Sequence, residues 1–440
     1  MPSPVNHDPE YTQIIRWLFG LQGVGMKFGL DNIRAILAAA GNPQKSFRAV
    51  HVGGTNGKGS TSAMIASVLA AAGFKTGLFT SPHLIDFTER IRINGAMIPE
   101  DDVIRLAKKF RALAAQGGIS VTFFEVTTAI AFEYFREQGV RWAVVEVGLG
   151  GRLDSTNVIV PEVSAITNVA FDHEAYLGGT IERIAAEKAG IIKTGVPVIT
   201  AARGAALDVI CGMAAESGSP IYVFGEDFRA ENVTLYENGI TLDYLGLRKD
   251  CRKIASSLAG RYQAGNIAVA LAVCETLISS GVPITEEHVR EGLNIGWPGR
   301  FETVSEHPAV ILDAAHNPAA AHALAETISE RFGAGNVIAI LGVMKDKSVE
   351  EVIAPIAAVS RRVIVTSPKY ERAASPTDML SIAMRHSPSA QAAPSVAEAL
   401  DAARKMAGPD GVIVVTGSFY TTGEAKELLG HIGTLTTLRE

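Results

Sequence analysis

The stretch Gly53–Thr61, GGTNGKGST, constrains this 440-residue chain more than any other. Val50 and Val52 precede it, and in the segment after it Met64, Ile65, Val68 and Leu69 recur at the steps of a helix. The glycines therefore lie between a short strand and the start of a helix. Glycine lets the backbone approach a ligand closely, and free N–H groups at a helix N-terminus face an anion. Lys58 adds a positive charge, and Ser60 or Thr61 a hydroxyl suited to Mg²⁺. The common G-x4-G-K-[ST] pattern is broken by Val52 and Gly59, whereas G-T-x-G-K-G-[ST] is intact from Gly54 to Ser60. Strand, loop and helix together read as a nucleotide phosphate site rather than an ordinary tight turn.

A chain of this length exceeds one typical core, so two or three domains are expected. With 47% hydrophobic and 20% charged residues, the composition is that of a globular α/β protein, neither disordered nor fibrous. The net charge of −6 argues against a nucleic-acid surface, so an anionic ligand must meet local cations. Cys211, Cys251 and Cys274 are far apart and odd in number, which suits reduced thiols of a cytoplasmic protein. The start, MPSPVNHDPEYTQ, has neither the basic nor the apolar part of a signal peptide. No window offers the roughly 18 apolar residues of a membrane span.

Ligand-capable residues recur at strand ends. TGLFTSPHL places Ser81 at the carboxyl end of a strand, where open α/β sheets bind ligands. His83 beside it reads as structural. Ala143–Val147 is a nearly continuous apolar run, hence a buried parallel strand, yet Glu146 lies inside it. A buried carboxylate needs a partner, either a salt bridge or a bound cation, and the adjacent phosphate loop favours the cation. GLGGRLDSTN follows as loop chemistry with Arg152 and Asp154 as polar handles. The strand VSAITNV then delivers Asp172 and His173 to the same edge. Lys188 reads equally well as a solvated helical lysine or a functional one.

Pro220 to Leu258 changes to short alternating runs with a Glu237-Asn238-Gly239 turn, read as an inserted β-hairpin. A helix resumes with Gln263 and Asn266 near its start, and GWPGR, ending at Arg300, reads as an interdomain hinge. Four more strand-like runs separated by helical segments predict a second parallel sheet, with Asp313 and His316 at the end of its first strand. The predicted fold is α/β with two domains. Residues 1–297 form a P-loop-type parallel-sheet ATPase domain with the hairpin inserted, and 298–440 a Rossmann-like domain.

The ordered blocks GNPQ, HVGGTNGKGST, TSPHL, EVGLGGRLDSTN, DHEAYLG, EKAGIIK, LDAAHNP, MKDK and VTGSFYTTGE span nearly the whole chain. In them the chain resembles the folylpolyglutamate synthase/dihydrofolate synthase family of the Mur ligase superfamily. The resemblance implies that Thr55, Asn56, Gly57, Lys58, Gly59 and Ser60 hold the ATP phosphates, and that Asn266, Arg300 and Asp313 contact the nucleotide, with His316 next to them. It implies one or two Mg²⁺ ions on Ser81, Glu146 and His173, a carbamylated Lys188, and room for K⁺. Thr122, Phe123, Phe124 and Glu125, with Leu153, Asp154 and Ser155, would line a pteroate pocket. Lys58, Lys188 and His316 would be catalytic.

The implied reaction passes the γ-phosphoryl of ATP to a substrate carboxylate, and the amine of L-glutamate then displaces phosphate. The expected substrates are 7,8-dihydropteroate, reduced folates, L-glutamate and ATP, acted on by a cytoplasmic monomer that uses neither nucleic acid nor membrane. Two narrower alternatives are a synthase that only extends folates and another Mur-type amino-acid ligase. A P-loop ATPase or regulatory nucleotide-binding module is the alternative of a different class, and it predicts no dependence on glutamate.

Overall fold

The computed structural model describes residues 8–24, 29–236 and 239–431. Its first sheet contains β1 (Arg48–Gly53), β2 (Thr76–Phe79), β3 (Ile91–Ile93), β4 (Ala96–Met97), β5 (Trp142–Glu146), β6 (Val163–Ile166), β7 (Val198–Thr200) and β8 (Ile221–Val223). The strand order is β4-β3-β2-β5-β1-β6-β7-β8. β1 runs parallel to both β5 and β6, with Val52 opposite Glu146 on one side and Ala165 on the other. The chain leaves β1 toward one edge and later returns to its other flank. The carboxyl ends of β1, β5 and β6 thus border the crevice of a topological switch point.

Helices cover both faces, which is why β5 and β6 are buried throughout and read as unbroken apolar runs. On one face the helices Lys58–Ala71 and Gln263–Ser279 close a core of Val50, Val52, Met64, Leu69, Ile267 and Leu271. On the other, Glu100–Gly117 and Phe123–Glu137 enclose Phe79, Phe110, Phe132 and Val145.

The insertion differs from the expected hairpin. β9 (Arg229–Tyr236), β10 (Gly239–Leu245) and β11 (Cys251–Ser256) form a three-stranded antiparallel sheet. β11 was missed because its middle, Arg252 and Lys253, is exposed and polar, while Ile254 alone supplies a large buried apolar side chain. Ile221–Val223, expected within the insertion, is the edge strand of the large sheet. Residues 237 and 238 of the expected turn lie outside the described residues.

The second sheet comprises β12 (Glu302–Glu306), β13 (Ala309–Leu312), β14 (Val337–Leu341), β15 (Ser360–Val365), β16 (Gln391–Ala392) and β17 (Val412–Thr416), in the order β12-β13-β17-β14-β15-β16. All its pairings are parallel except that of β12 with β13. It has apolar cores of its own, one built around Ile328, Leu341 and Ile353 and one around Leu312, Ile340 and Leu400. Among the described residues, no helix is long and apolar enough to cross a membrane.

Candidate active site

β1 carries Gly53 to the switch point, and two glycines make the following turn possible. Gly54 has φ +135° and Gly57 φ +84°. A Cβ on Gly54 would lie 2.0 Å from Thr167 Oγ1, and one on Gly57 2.2 Å from Asn266 Oδ1. The loop is fixed from beneath: Thr55 N–H donates to the Asn168 carbonyl and Asn56 N–H to Asn168 Oδ1, both at 2.9 Å. Gly57 caps the helix Lys58–Ala71 without a side-chain acceptor, and no acid lies in the first turn. Its leading N–H groups therefore stay open to an anion. Lys58 Nζ folds back to donate to the Thr55 carbonyl at 3.1 Å. Gln263 Nε2 lies 3.5 Å from Ser60 Oγ and accepts, through Oε1, from Asn266 Nδ2 at 2.8 Å. Helix Gln263–Ser279 thus brings Asn266, in its first turn, to the loop.

Glu146 ends β5, is 4% exposed, and accepts the Ser81 N–H at Oε2 over 3.0 Å. Burial pushes its carboxyl pKa up, against the pull of Lys58, the Ser81 N–H, Arg300 and Arg90. No ion pair to Glu146 forms among the described residues, which removes the salt-bridge reading. A desolvated carboxylate that shares one cleft with a serine and with Gly59 of the phosphate loop is a donor set that fits a hard cation such as Mg²⁺. Gly59 comes close by, since a Cβ there would sit 3.6 Å from Glu146 Oε2.

His173 lies just past β6 with φ +52°, and its Nε2 is 3.8 Å from Asp172 Oδ1. Burial lowers its pKa to about 4, with Asp172 opposing and Lys347, His316 and Lys58 assisting. Among the described residues no three His, Cys, Asp or Glu side chains converge as a metal cluster. Ser81 and Glu146 are in contact, whereas His173 faces Asp172.

Asp172 is the centre of a junction between the two sheets. It ion-pairs with Lys347, lies 3.4 Å from His316 Nε2, and accepts from Asn317 Nδ2 at 3.2 Å. Burial opposes ionisation, yet His316, His173 and Lys347 hold this carboxyl far below the usual range. Asn56 and Asn317 exchange amide hydrogen bonds of 3.2 and 2.9 Å across the same seam. Lys188 is 4% exposed and donates to the Gly54 carbonyl at 2.9 Å, so it is no solvated helical lysine. Burial and Lys58 lower its pKa to about 7, against Asp172 and Asp154.

From the second sheet, Asp313 Oδ2 accepts Tyr262 O–H at 3.1 Å and Phe301 N–H at 2.9 Å. Arg300 lies 4.8 Å from the Phe419 ring centre and lines a cleft with Gly59, Ser81, Glu146 and Trp297. His316 Nδ1 is 2.9 Å from the Ala314 carbonyl, which orients the ring.

The Thr122–Glu125 stretch is first a helix cap. Thr122 N–H donates to Glu125 Oε2 at 2.7 Å and Glu125 N–H to Thr122 Oγ1 at 3.3 Å. Phe123 stacks on Phe19 at 5.2 Å, and Phe124 packs where a Cβ on Gly148 would lie 2.4 Å from its ring. Asp154 is no free polar handle: it accepts from Leu149 N–H at 2.8 Å and Thr156 N–H at 3.0 Å. Ser155 is buried beside it and Leu153 partly so. His83 is structural as read, taking the Arg90 Nε–H on Nδ1 at 2.7 Å. Sequence reasoning gave no role to Lys347, Asn317 or Asn168. MKDK and LDAAHNP marked the first two only as parts of blocks.

A Mur ligase middle domain matches residues 52–274 and a Mur ligase glutamate ligase domain residues 299–419. The fold and site thus define an ATP-dependent ligase of the Mur type. A dihydrofolate synthase/folylpolyglutamate synthase of Bacillus subtilis is 35% identical over 95% of this chain and 99% of its own length. The Escherichia coli protein of the same name is 32% identical over 95% and 96%. The solved folylpolyglutamate synthase of Mycobacterium tuberculosis, complexed with ADP and AMPPCP, superposes with TM-score 0.90 at 32% identity, over 96% of this chain and 100% of that one. The chain belongs to the folylpolyglutamate synthase/dihydrofolate synthase family.

Proposed function

We propose that this protein joins L-glutamate to 7,8-dihydropteroate and to folylpolyglutamates, with ATP converted to ADP and phosphate. The acceptor carboxylate attacks the γ-phosphorus of ATP and ADP leaves. The glutamate amine then attacks the acyl phosphate, loses a proton, and phosphate departs as the amide forms. Phosphoryl transfer asks mainly for positioning and charge neutralisation. The N–H groups of Gly57 to Ser60, with Lys58, Thr55 and Asn56, would cradle the phosphates. Asn266, Arg300 and Asp313 would contact the nucleotide, and His316 would be held toward the reacting groups by Ala314 and Asp172.

Glu146, Ser81 and His173 would hold one or two Mg²⁺ ions, which would supply positive charge to offset that of the phosphoryl group; K⁺ is a further candidate. Lys188 would carry a carbamate. Thr122, Phe123, Phe124, Glu125, Leu153, Asp154 and Ser155 would wall the pteroate pocket, chiefly through their backbone and rings. The proposed boundary between the domains is 297/298, and the enzyme is proposed to act as a cytoplasmic monomer.

Glu146 carries this reading: it is buried, has no ion pair among the described residues, and lies against Ser81 and the phosphate loop. The test is ADP release with Mg²⁺, ATP and L-glutamate, comparing 7,8-dihydropteroate with tetrahydrofolate. Glutamate-dependent release with both acceptors is expected. Release with the folate alone would restrict the enzyme to chain extension, and release indifferent to glutamate would mark a plain ATPase.

A further inference from the structure

The cleft beside Glu146 contains a cation that the reaction scheme leaves without a task. Arg92 lies on β3, opposite Leu78 of β2, and is half-buried. Its guanidinium lies 5.2 Å from the centre of the Trp297 ring, and both residues line the cleft that holds Ser81, Glu146 and Arg300. Its Nε–H donates to the Glu89 carbonyl at 3.2 Å. The Glu89 carboxylate is already occupied by the N–H groups of Leu84, Ile85 and Asp86, each at 2.9 Å. Arg92 therefore forms no ion pair among the described residues. A stacked guanidinium with its planar fork open to a cleft suits a carboxylate.

The two proposed acceptors differ by such a group. Dihydropteroate brings only the carboxylate that reacts. A folylglutamate brings its reacting γ-carboxylate and, on the same glutamyl unit, an α-carboxylate. Glu146 marks the reacting end of the cleft, and Arg92 stands in the wall of that same cleft. We propose that Arg92, braced on Trp297, binds the α-carboxylate of the folate acceptor and so selects for chain extension over the first glutamylation; this rests on the reaction proposed above. An arginine that instead bound the incoming glutamate or a phosphate would serve both acceptors equally.

The test compares wild type with Arg92→Met, which keeps an apolar stem on Trp297, and Arg92→Lys, which keeps the charge. Steady-state kinetics are measured with dihydropteroate, tetrahydrofolate and tetrahydrofolate amidated at the α-carboxylate. Arg92→Met should lower kcat/KM for tetrahydrofolate by about ten- to a hundredfold, the loss of a charged hydrogen-bonded contact. Its effect with dihydropteroate should be about twofold or less, and the KM for glutamate should not move. Wild type should discriminate against the amidated folate, Arg92→Met should not, and Arg92→Lys should recover part of the discrimination. Equal losses with both acceptors in a variant that melts like wild type, or a raised KM for glutamate, would overturn the assignment. If Arg92→Met melts early, the same comparison is read from Arg92→Lys. Should wild type itself show no glutamate-dependent turnover with either acceptor, the ligase reading fails first and the role of Arg92 with it.

Discussion

Lys188 and Glu146 are two buried ionisable groups whose pKa values the fold moves in opposite directions, each toward the uncharged form. The Lys188 amine is pushed to about 7, so near neutral pH much of it is the free base that can add CO₂ and release a proton. Turnover should therefore fall as pH drops below about 7, and enzyme stripped of CO₂ should regain activity when bicarbonate is added. Activity indifferent to both would remove the carbamate. The unmodified lysine also leaves a signature in stability. Its ordinary value is 10.5, so between about 7 and 10.5 the unfolded chain binds more protons than the folded one. Thermal unfolding of the uncarbamylated protein should accordingly shift to higher temperature as pH rises through that window. Glu146→Gln tests the other group. The amide oxygen can still accept the Ser81 N–H, and the desolvated charge is gone, so Tm should hold or rise. Turnover should fall by about a hundredfold or more, comparable to removing one oxyanion-hole donor. A variant with a lowered Tm and near-normal rate would make Glu146 a structural residue.

Helix starts show how one sequence pattern serves two ends. Thr122 and Glu125 form a reciprocal capping box on Phe123–Glu137, whose buried face supplies Phe132 and Phe135 to the core. Glu125→Gln keeps a capping-box residue and should retain both stability and use of dihydropteroate. Glu125→Ala should lower stability by about 1 kcal/mol through the lost cap. A Glu125→Gln protein that folds normally yet fails with dihydropteroate would instead give the carboxylate a direct role. At this scale the sequence was most legible where a local rule had no rival. GGTNGKGST between a strand and a helix, and Glu146 inside an apolar run, were found because each breaks a pattern that packing alone would follow. β11 escaped because its exposed residues outnumber its buried ones, and the capping bonds of Asp154 escaped because a cap and a binding group share the same chemistry. Lys347 and Asn317 had no local signal at all. Their significance lies in contacts with Asp172, 175 and 145 residues away in the chain.

Those contacts bear on how the two halves of the molecule stay together. Asp172 and Lys347 are 8% and 11% exposed, so their ion pair is shielded from solvent, with His316 and Asn317 completing the seam. A closed seam is what an acyl phosphate requires, because water would otherwise consume it. Removing one member of a buried pair costs about 3–5 kcal/mol, and the retained bonds to His316 and Asn317 should hold this case near the lower end. The two sheets have separate apolar cores, so the loss should fall on their union rather than on either core. Lys347→Met is therefore expected to split a single calorimetric transition into two, with faster amide exchange in Asn56 and Asn317. Mild acid should not reproduce that effect. Asp172 is held well below its ordinary 3.8, so its contribution is complete above that value and fades only as pH falls toward the lower folded value. At pH of about 5 wild type should still unfold in one transition, whereas Lys347→Met should show two at any pH. One transition in the variant at neutral pH would mean that the halves are joined by their other contacts and that the Asp172 cluster orients catalytic groups without holding the seam shut.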